Sequence, residues 1–216
     1  VTISGSGFNA TTEALLDKKK VKILSVTPTK LRIEIPGSEL GLGSEKKLTC
    51  LNPAPAGGES QPAVFTAKNP LPKPGSITPS IVIVRSKDFT LKVRGEKFVP
   101  GAQILLDGAP LKTEFSSPEE VTTTIPAAKI AKVGKLSISV ENPKPAGGKA
   151  GKLELAVENP VPDLASISPT EKLRKSGGFT ITATGENFVQ GARILWEGKP
   201  LDTKFVGYEK LTATVP

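Results

Sequence analysis

The 216-residue sequence contains no histidine, no methionine and a single cysteine. Without histidine, the commonest general base and metal ligand is missing. One cysteine excludes an intrachain disulfide and any zinc site built from several thiolates. Aromatic residues make up only 5% of the chain, too few for a row of exposed platforms on which bases or sugar rings could stack. No apolar run approaches the roughly 18 residues that a membrane-spanning helix requires. Nothing at Val1 resembles a basic-then-apolar export signal.

The formal net charge is +8, from 29 lysines and arginines against 21 aspartates and glutamates. A basic excess invites a nucleic-acid reading. Only five of the 29 are arginine, the residue suited to bidentate phosphate or guanine contacts. The excess is spread along the chain with acids interspersed. The expectation is a lysine-rich solubilising surface and no specific binding of nucleic acid.

Glycine (21) and proline (20) are plentiful, and they fall on a ruler of ninety residues. ITATGENFVQGARILWEG from Ile181 repeats LKVRGEKFVPGAQILLDG from Leu91, and a fainter copy opens the chain at Val1. Gly5, Gly95 and Gly185 align without a gap, as do Phe8, Phe98 and Phe188, and Pro36, Pro126 and Pro216. NPAPAGG from Asn52 matches NPKPAGG from Asn142, and about 24 of 56 positions agree between residues 71–126 and 161–216. Ninety residues is the size of a small domain and too long for a solenoid unit. The expected organisation is residues 1–70, a repeat lacking its first strand; 71–160, a complete repeat; and 161–216, a repeat lacking its last two strands. Such ragged ends suggest a piece of something longer. The joints NPLPKP (69–74) and NPVPD (159–163) are short and proline-stiffened, which predicts an extended array with semi-rigid spacers.

The complete repeat alternates with a period of two. In FTLKVRG, Phe89, Leu91 and Val93 face one way, and the same holds for Val121, Thr123 and Ile125, for Leu136, Ile138 and Val140, and for Leu153, Leu155 and Val157. Shorter strands are predicted at Ser76–Thr78, Gln103–Leu106 and Leu111–Phe115, with Asp107-Gly108 as a tight hairpin turn and Glu119–Val121 as a turn. No helical stripe is present. About seven strands in ninety residues predict an all-β, two-sheet sandwich. Seven of the eight phenylalanines recur at repeat positions (8/98/188, 89/179, 115/205) and are expected in the cores, as is Trp196, which stands where Leu16 and Leu106 stand.

The run SISPTEKLRKSGGFTITATGENFVQGARILWEG (166–198) resembles an IPT/TIG domain, an immunoglobulin-like fold found in plexins, Rel-type transcription factors and many bacterial surface proteins. The resemblance rests on Pro169, Gly177-Gly178, the alternation of Thr180–Thr184, Gly185 with Phe188, Gly191, and Ile194 to Gly198. The second repeat departs from it with Lys87-Asp88 in place of Gly-Gly, and the first lacks a counterpart of Gly191. The resemblance implies tandem immunoglobulin-like sandwiches of the early set.

Tested for chemistry, the chain offers little. Cys50 aligns with Val140 on the inward register, so a buried, inert thiol is expected. Glu119-Glu120 lie in a polar turn where solvation is the default. GSGFN near the start contains no GxGxxG, and SGG at 176–178 reads as a turn rather than a phosphate cradle. Asp17, Asp107 and Glu197 share one repeat position, each opening a hairpin, and none heads an acidic calcium loop. Asn9-Ala10-Thr11 is a formal glycosylation sequon, with a chance match the simpler account. No catalytic, cofactor or metal residue is assigned. The resemblance implies a non-catalytic cell-surface or secreted array, extracellular and of bacterial type, that acts as spacer and adhesion or receptor-like module for a protein or surface polymer. Two alternatives stay open: accessory domains of a larger extracellular, carbohydrate-acting enzyme, and a Rel-type module for nucleic-acid binding or dimerisation.

Overall fold

The computed structural model describes residues 1–174 and 177–216. Almost all regular structure is strand. Among the described residues the exceptions are a short helix at Gly37–Leu40 and a 3-10 turn at Ala127–Ile130, neither of which the alternating pattern announces. The chain divides into two compact units. One comprises Val1–Ser80, Phe89–Ile125 and Leu136–Leu155; the other comprises Ile81–Asp88, Pro126–Lys135 and Ala156–Pro216.

In the first unit, residues from the first repeat form a sheet in the order Thr2–Ser4, Lys30–Glu34, Lys19–Val26, Glu13–Leu16, Ser44–Asn52 and Gly58–Glu59, with Ala63–Ala67 also paired to Ser44–Asn52. Lys19–Val26 serves two neighbours: its start pairs with Glu13–Leu16 and its end with Lys30–Glu34. At the matching place in the second repeat stands Pro110, which has no N–H for a ladder, and the strand is split into Ala109–Pro110 and Thr113–Ser117. Ala14, Leu16, Leu31, Ile33, Leu48 and Cys50 make the core here. Cys50 therefore sits on the inward register, as expected.

The second repeat supplies two more sheets to the first unit. One runs Thr113–Ser117, Glu120–Ile125, Phe89–Glu96, Lys73–Thr78. In the other, Gln103–Leu106 lies between Ala109–Pro110 and Gly134–Asn142, and Gly148–Glu158 follows. Leu91, Val93, Val121 and Ile125 of one sheet and Ile104, Leu106, Ile138, Val140 and Leu155 of the other are buried. Each such aliphatic side chain contributes roughly 1.5–3 kcal/mol when fully buried. Two expectations shift. The strand predicted at Leu111–Phe115 begins at Thr113, because the Thr113 hydroxyl takes the place of a ladder bond: it accepts from the Ile104 N–H at 2.8 Å and donates to the Leu111 carbonyl at 2.9 Å. The turn predicted at Glu119–Val121 closes at Pro118-Glu119, and Glu120 already belongs to the next strand.

In the second unit, Asp163–Ser168, Phe179–Glu186, Lys210–Val215 and Thr203–Gly207 form a four-stranded antiparallel sheet, and Leu195–Trp196 is hairpinned to Lys199–Pro200. Ile181, Ala183, Phe188, Leu211, Ala213 and Val215 are buried in two small clusters. Ile81–Ile83 runs parallel to Ala156–Glu158 in the same unit. The expectation for Trp196 is overturned: it is 41% exposed, whereas Leu106 at the same repeat position is 4% exposed. The cause lies in the neighbouring strand. Leu106 stands in a strand flanked by Gly134–Asn142, and no described residue of 161–216 takes that place beside Trp196. The phenylalanines follow the same logic: Phe98 and Phe188 are buried, and the other five at repeat positions are half-buried.

Candidate functional site

The shared carboxylate position proves to be a structural clasp. Asp17 and Asp107 each adopt positive φ at the first turn residue, followed by Lys18 and Gly108, also at positive φ, the geometry of a tight hairpin. The Asp107 carboxylate accepts from the Ser137 N–H at 2.8 Å, and the Asp107 N–H donates to the Ser137 carbonyl at 2.8 Å. Asp17 does the same with Lys47, at 2.9 and 2.8 Å. The Lys47 N–H, and after it the Lys46 ammonium at 3.2 Å, hold the Asp17 carboxyl below the usual carboxylate range. Glu197 opens the third hairpin with φ of 50°. The Asp17 and Asp107 carboxylates tie a turn to the adjoining strand.

The remaining candidates are likewise placed. Burial pushes the Cys50 thiol above its ordinary range. Glu119 stays in the turn, but Glu120 is not simply solvated: it meets Lys92 at 3.1 Å and Arg94 at 3.0 Å. In GSGFN, Gly5 lies under the Phe8 ring and the Gly7 carbonyl accepts from the Asn52 side chain at 2.9 Å. Ser176 of SGG lies outside the described residues; Gly177 adopts a φ of 74°. Asn9 is exposed, and its side-chain oxygen accepts from the Thr11 N–H and hydroxyl at 2.9 and 2.7 Å. Among the described residues no group of three or more His, Cys, Asp or Glu stands together to hold a metal ion. Among the described residues no helix is long and apolar enough to cross a membrane.

Sequence reasoning missed the asparagines of the Asn-Pro pairs, which it treated only as joints. Asn52 accepts from the Thr12 hydroxyl at 2.6 Å. Asn69 accepts from the Gly43 N–H at 2.8 Å and donates to the Pro143 carbonyl at 2.9 Å. Asn142 donates to the carbonyls of Pro70 and Lys97, at 2.9 and 2.7 Å. Their recurrence at 52/142 and 69/159 was the available signal.

An apolar groove of about 690 Å³ opens onto the core of the second unit. Leu164, Ile167, Phe188, Ile194, Trp196 and Leu211 are among its apolar lining. The strand alternation of Phe179–Glu186 turns Ile181 and Ala183 to this side. Trp196 is set edge-on to Phe179, with ring centroids 6.2 Å apart, a favoured aromatic arrangement. Such walls can hold an apolar surface, with Asn187, Arg193 and Glu197 also in the lining.

No curated protein matches the sequence. Among solved structures, the chain is similar to the plexin A4 full extracellular region, domains 1 to 10, with 18% identity and a TM-score of 0.32, covering 100% of this chain and 19% of that one. It is also similar to Drosophila OTK extracellular domains 3–5, with 12% identity and a TM-score of 0.26, covering 94% of this chain and 74% of that one. The chain thus spans about a fifth of the plexin chain's length. At these scores the fold rests on the strand order above and on the family comparison, in which the IPT/TIG domain matches residues 72–154. That match covers the second repeat almost entire and leaves the first and third outside it.

Proposed function

We propose that the chain is a non-catalytic array of three IPT/TIG-like units, at 1–70, 71–160 and 161–216, exposed on or outside a cell, with a bacterial surface as its setting. It acts as a spacer and as an adhesion or receptor-like module, and its partner is a protein or a surface polymer. The observation that supports this best is the recurrence of one sequence pattern, Gly5/Gly95/Gly185 and Phe8/Phe98/Phe188 among its marks, in fixed ninety-residue phase around a matched IPT/TIG domain. Repetition at constant phase multiplies length and binding faces, which suits reach and presentation, and adds nothing to a reaction centre. The fold alone does not set the task. The test is topological. Antibody against residues 71–160 should label intact cells of the source organism, and protease added outside should release fragments of this sequence. Labelling that appears only after lysis overturns the reading.

A further inference from the structure

We propose that an open polar notch on the first repeat binds an acidic sugar, a uronic-acid unit of a polysaccharide, through the ammoniums of Lys18 and Lys47 and the carboxylate of Glu59. The notch measures about 530 Å³, within the size range of ligand sites. Every residue that lines it lies inside the first repeat, between Asp17 and Pro62. Lys47 and Thr49 alternate with Leu48 and Cys50, which are buried in the core, so the notch is on the outer face of the sheet.

A bulge shapes it. Leu48 pairs with Ala63 and Leu51 with Glu59, so Thr49 and Cys50 stand opposite three residues, Ser60, Gln61 and Pro62. Pro62 brings no N–H for the ladder. The Ser60 hydroxyl replaces a ladder bond by accepting from the Cys50 N–H at 3.0 Å. The second repeat runs through the same place as one strand, Gly148–Glu158. Bulges of this kind re-aim side chains beside functional sites.

The charged residues of the notch are where the first repeat departs from its sisters. Lys18 stands where Gly108 and Gly198 stand, Lys47 where Ser137 stands, and Glu59 where Lys149 stands. Lys18 holds a φ of 68°, a conformation that suits glycine, so an ammonium is kept there against the preference of the backbone. The Asp17 carboxylate is already engaged by the Lys47 N–H and the Lys46 ammonium. Among the described residues the Lys18 and Lys47 ammoniums form no ion pair, and Glu59 accepts from the Thr49 hydroxyl at 2.7 Å. What remains is two cationic donors beside an anionic acceptor with spare lone pairs. A carboxylate takes charge-assisted hydrogen bonds from the ammoniums, and Glu59 accepts from ring hydroxyls. A uronic acid carries both groups on one ring; a neutral sugar lacks the first, and an ionised polyphosphate lacks the second. Charge here supplies the hold that stacking on aromatic rings would otherwise give. The inference gives the surface polymer of the proposed function a chemistry, and it rests on that reading only for the source of the polymer.

The test is calorimetric titration of the full chain, at about 0.15 M salt, with trigalacturonate, galactotriose and tripolyphosphate. Trigalacturonate should bind at one site per chain, and the other two at least about tenfold more weakly. Lys18→Gly and Lys47→Ser import the residues of the second repeat, so the fold should persist, as circular dichroism will check. Each should weaken trigalacturonate binding at least about tenfold. Glu59→Gln separates recognition from bare charge: losing the acceptor for a ring hydroxyl weakens binding, whereas simple attraction of an anion would strengthen it. The proposal is overturned by no binding of trigalacturonate, by equal binding of tripolyphosphate, by unchanged affinity in Lys18→Gly and Lys47→Ser, or by tighter binding in Glu59→Gln. Titration of the purified chain decides the notch and labelling of intact cells decides the surface reading, so either can fail without the other.

Discussion

Asn69 reaches across 74 residues of sequence to donate a 2.9 Å hydrogen bond to the carbonyl of Pro143, while its side-chain oxygen accepts from Gly43. One buried amide thereby joins the loop at Gly43 in the first repeat to the Asn-Pro loop of the second. Asn69→Ala should leave both backbone groups unpaired at a cost of about 1–3 kcal/mol. Amide hydrogen exchange should show Gly43 losing its protection while the centre of the Phe89–Glu96 strand keeps its own. Unchanged protection at Gly43 would remove the assigned role.

Gly95 has no room for a side chain. A Cβ there would strike the Lys73 carbonyl, lie 2.7 Å from the Pro74 Cα and 2.9 Å from the Phe98 ring. Gly75, on the adjacent strand of the same sheet, would meet only the Arg94 carbonyl at 3.6 Å. Gly95→Ala should cost about 1–3 kcal/mol, and Gly75→Ala should stay within about 0.5 kcal/mol of the parent. Thermal melting of the two variants measures the contrast.

Cys50 packs with Ala14, Leu16, Leu31, Ile33 and Leu48, and burial raises its thiol above the usual range. The thiolate is the reactive form, so a thiol reagent at neutral pH should label the native chain slowly and the denatured chain at once. The sign for stability follows: the folded state prefers the protonated thiol. This contribution is full below the ordinary thiol range and is lost as pH climbs through the raised value. Cys50→Ala should therefore flatten the alkaline limb of the stability profile. Rapid native labelling would contradict the inward register.

Glu120 is held below the usual carboxylate range first by Lys92 and then by Arg94. A lowered carboxyl favours the folded state above its unfolded value, and the benefit is lost as pH falls through the lowered value. Glu120→Gln should make stability between about pH 5 and pH 3 less steep than in the parent chain. Acid titration followed by circular dichroism reads this, and identical slopes would show the two ion pairs to be idle.

How much of this was legible depended on where each residue's environment came from. The period of two in FTLKVRG exposed its inward face because the pattern belongs to the strand itself, and Leu91 and Val93 are buried as read. The hairpin at Asp107-Gly108 was legible for the same reason, since positive φ is a local demand. Trp196 was not. Its exposure is decided by the strand beside it, which no pattern inside ARILWEG contains. Asn69, Asn142 and Thr113 were missed on similar grounds, because their partners lie elsewhere in the fold or replace a ladder bond that alternation assumes. The groove was invisible for a further reason: it is a difference between two repeats that read almost alike.

The unbroken strand Lys19–Val26 gives the first repeat a mechanical character that the second does not share. It is laddered to Glu13–Leu16 at one end and to Lys30–Glu34 at the other, so shear between those two neighbours must rupture hydrogen bonds at both ends of one stiff element. In the second repeat the strand is interrupted after Pro110, and the intervening residues are held only by the Leu111 N–H to Ile104 and by side-chain hydroxyls, so this link should yield before either ladder carries full load. Single-molecule stretching should therefore find the first repeat yielding with a short extension to its force peak, and Lys20→Pro, which imports the interruption, should lengthen that extension towards the value for the second repeat. An array built of near-copies would then be graded in compliance along its length by a single proline.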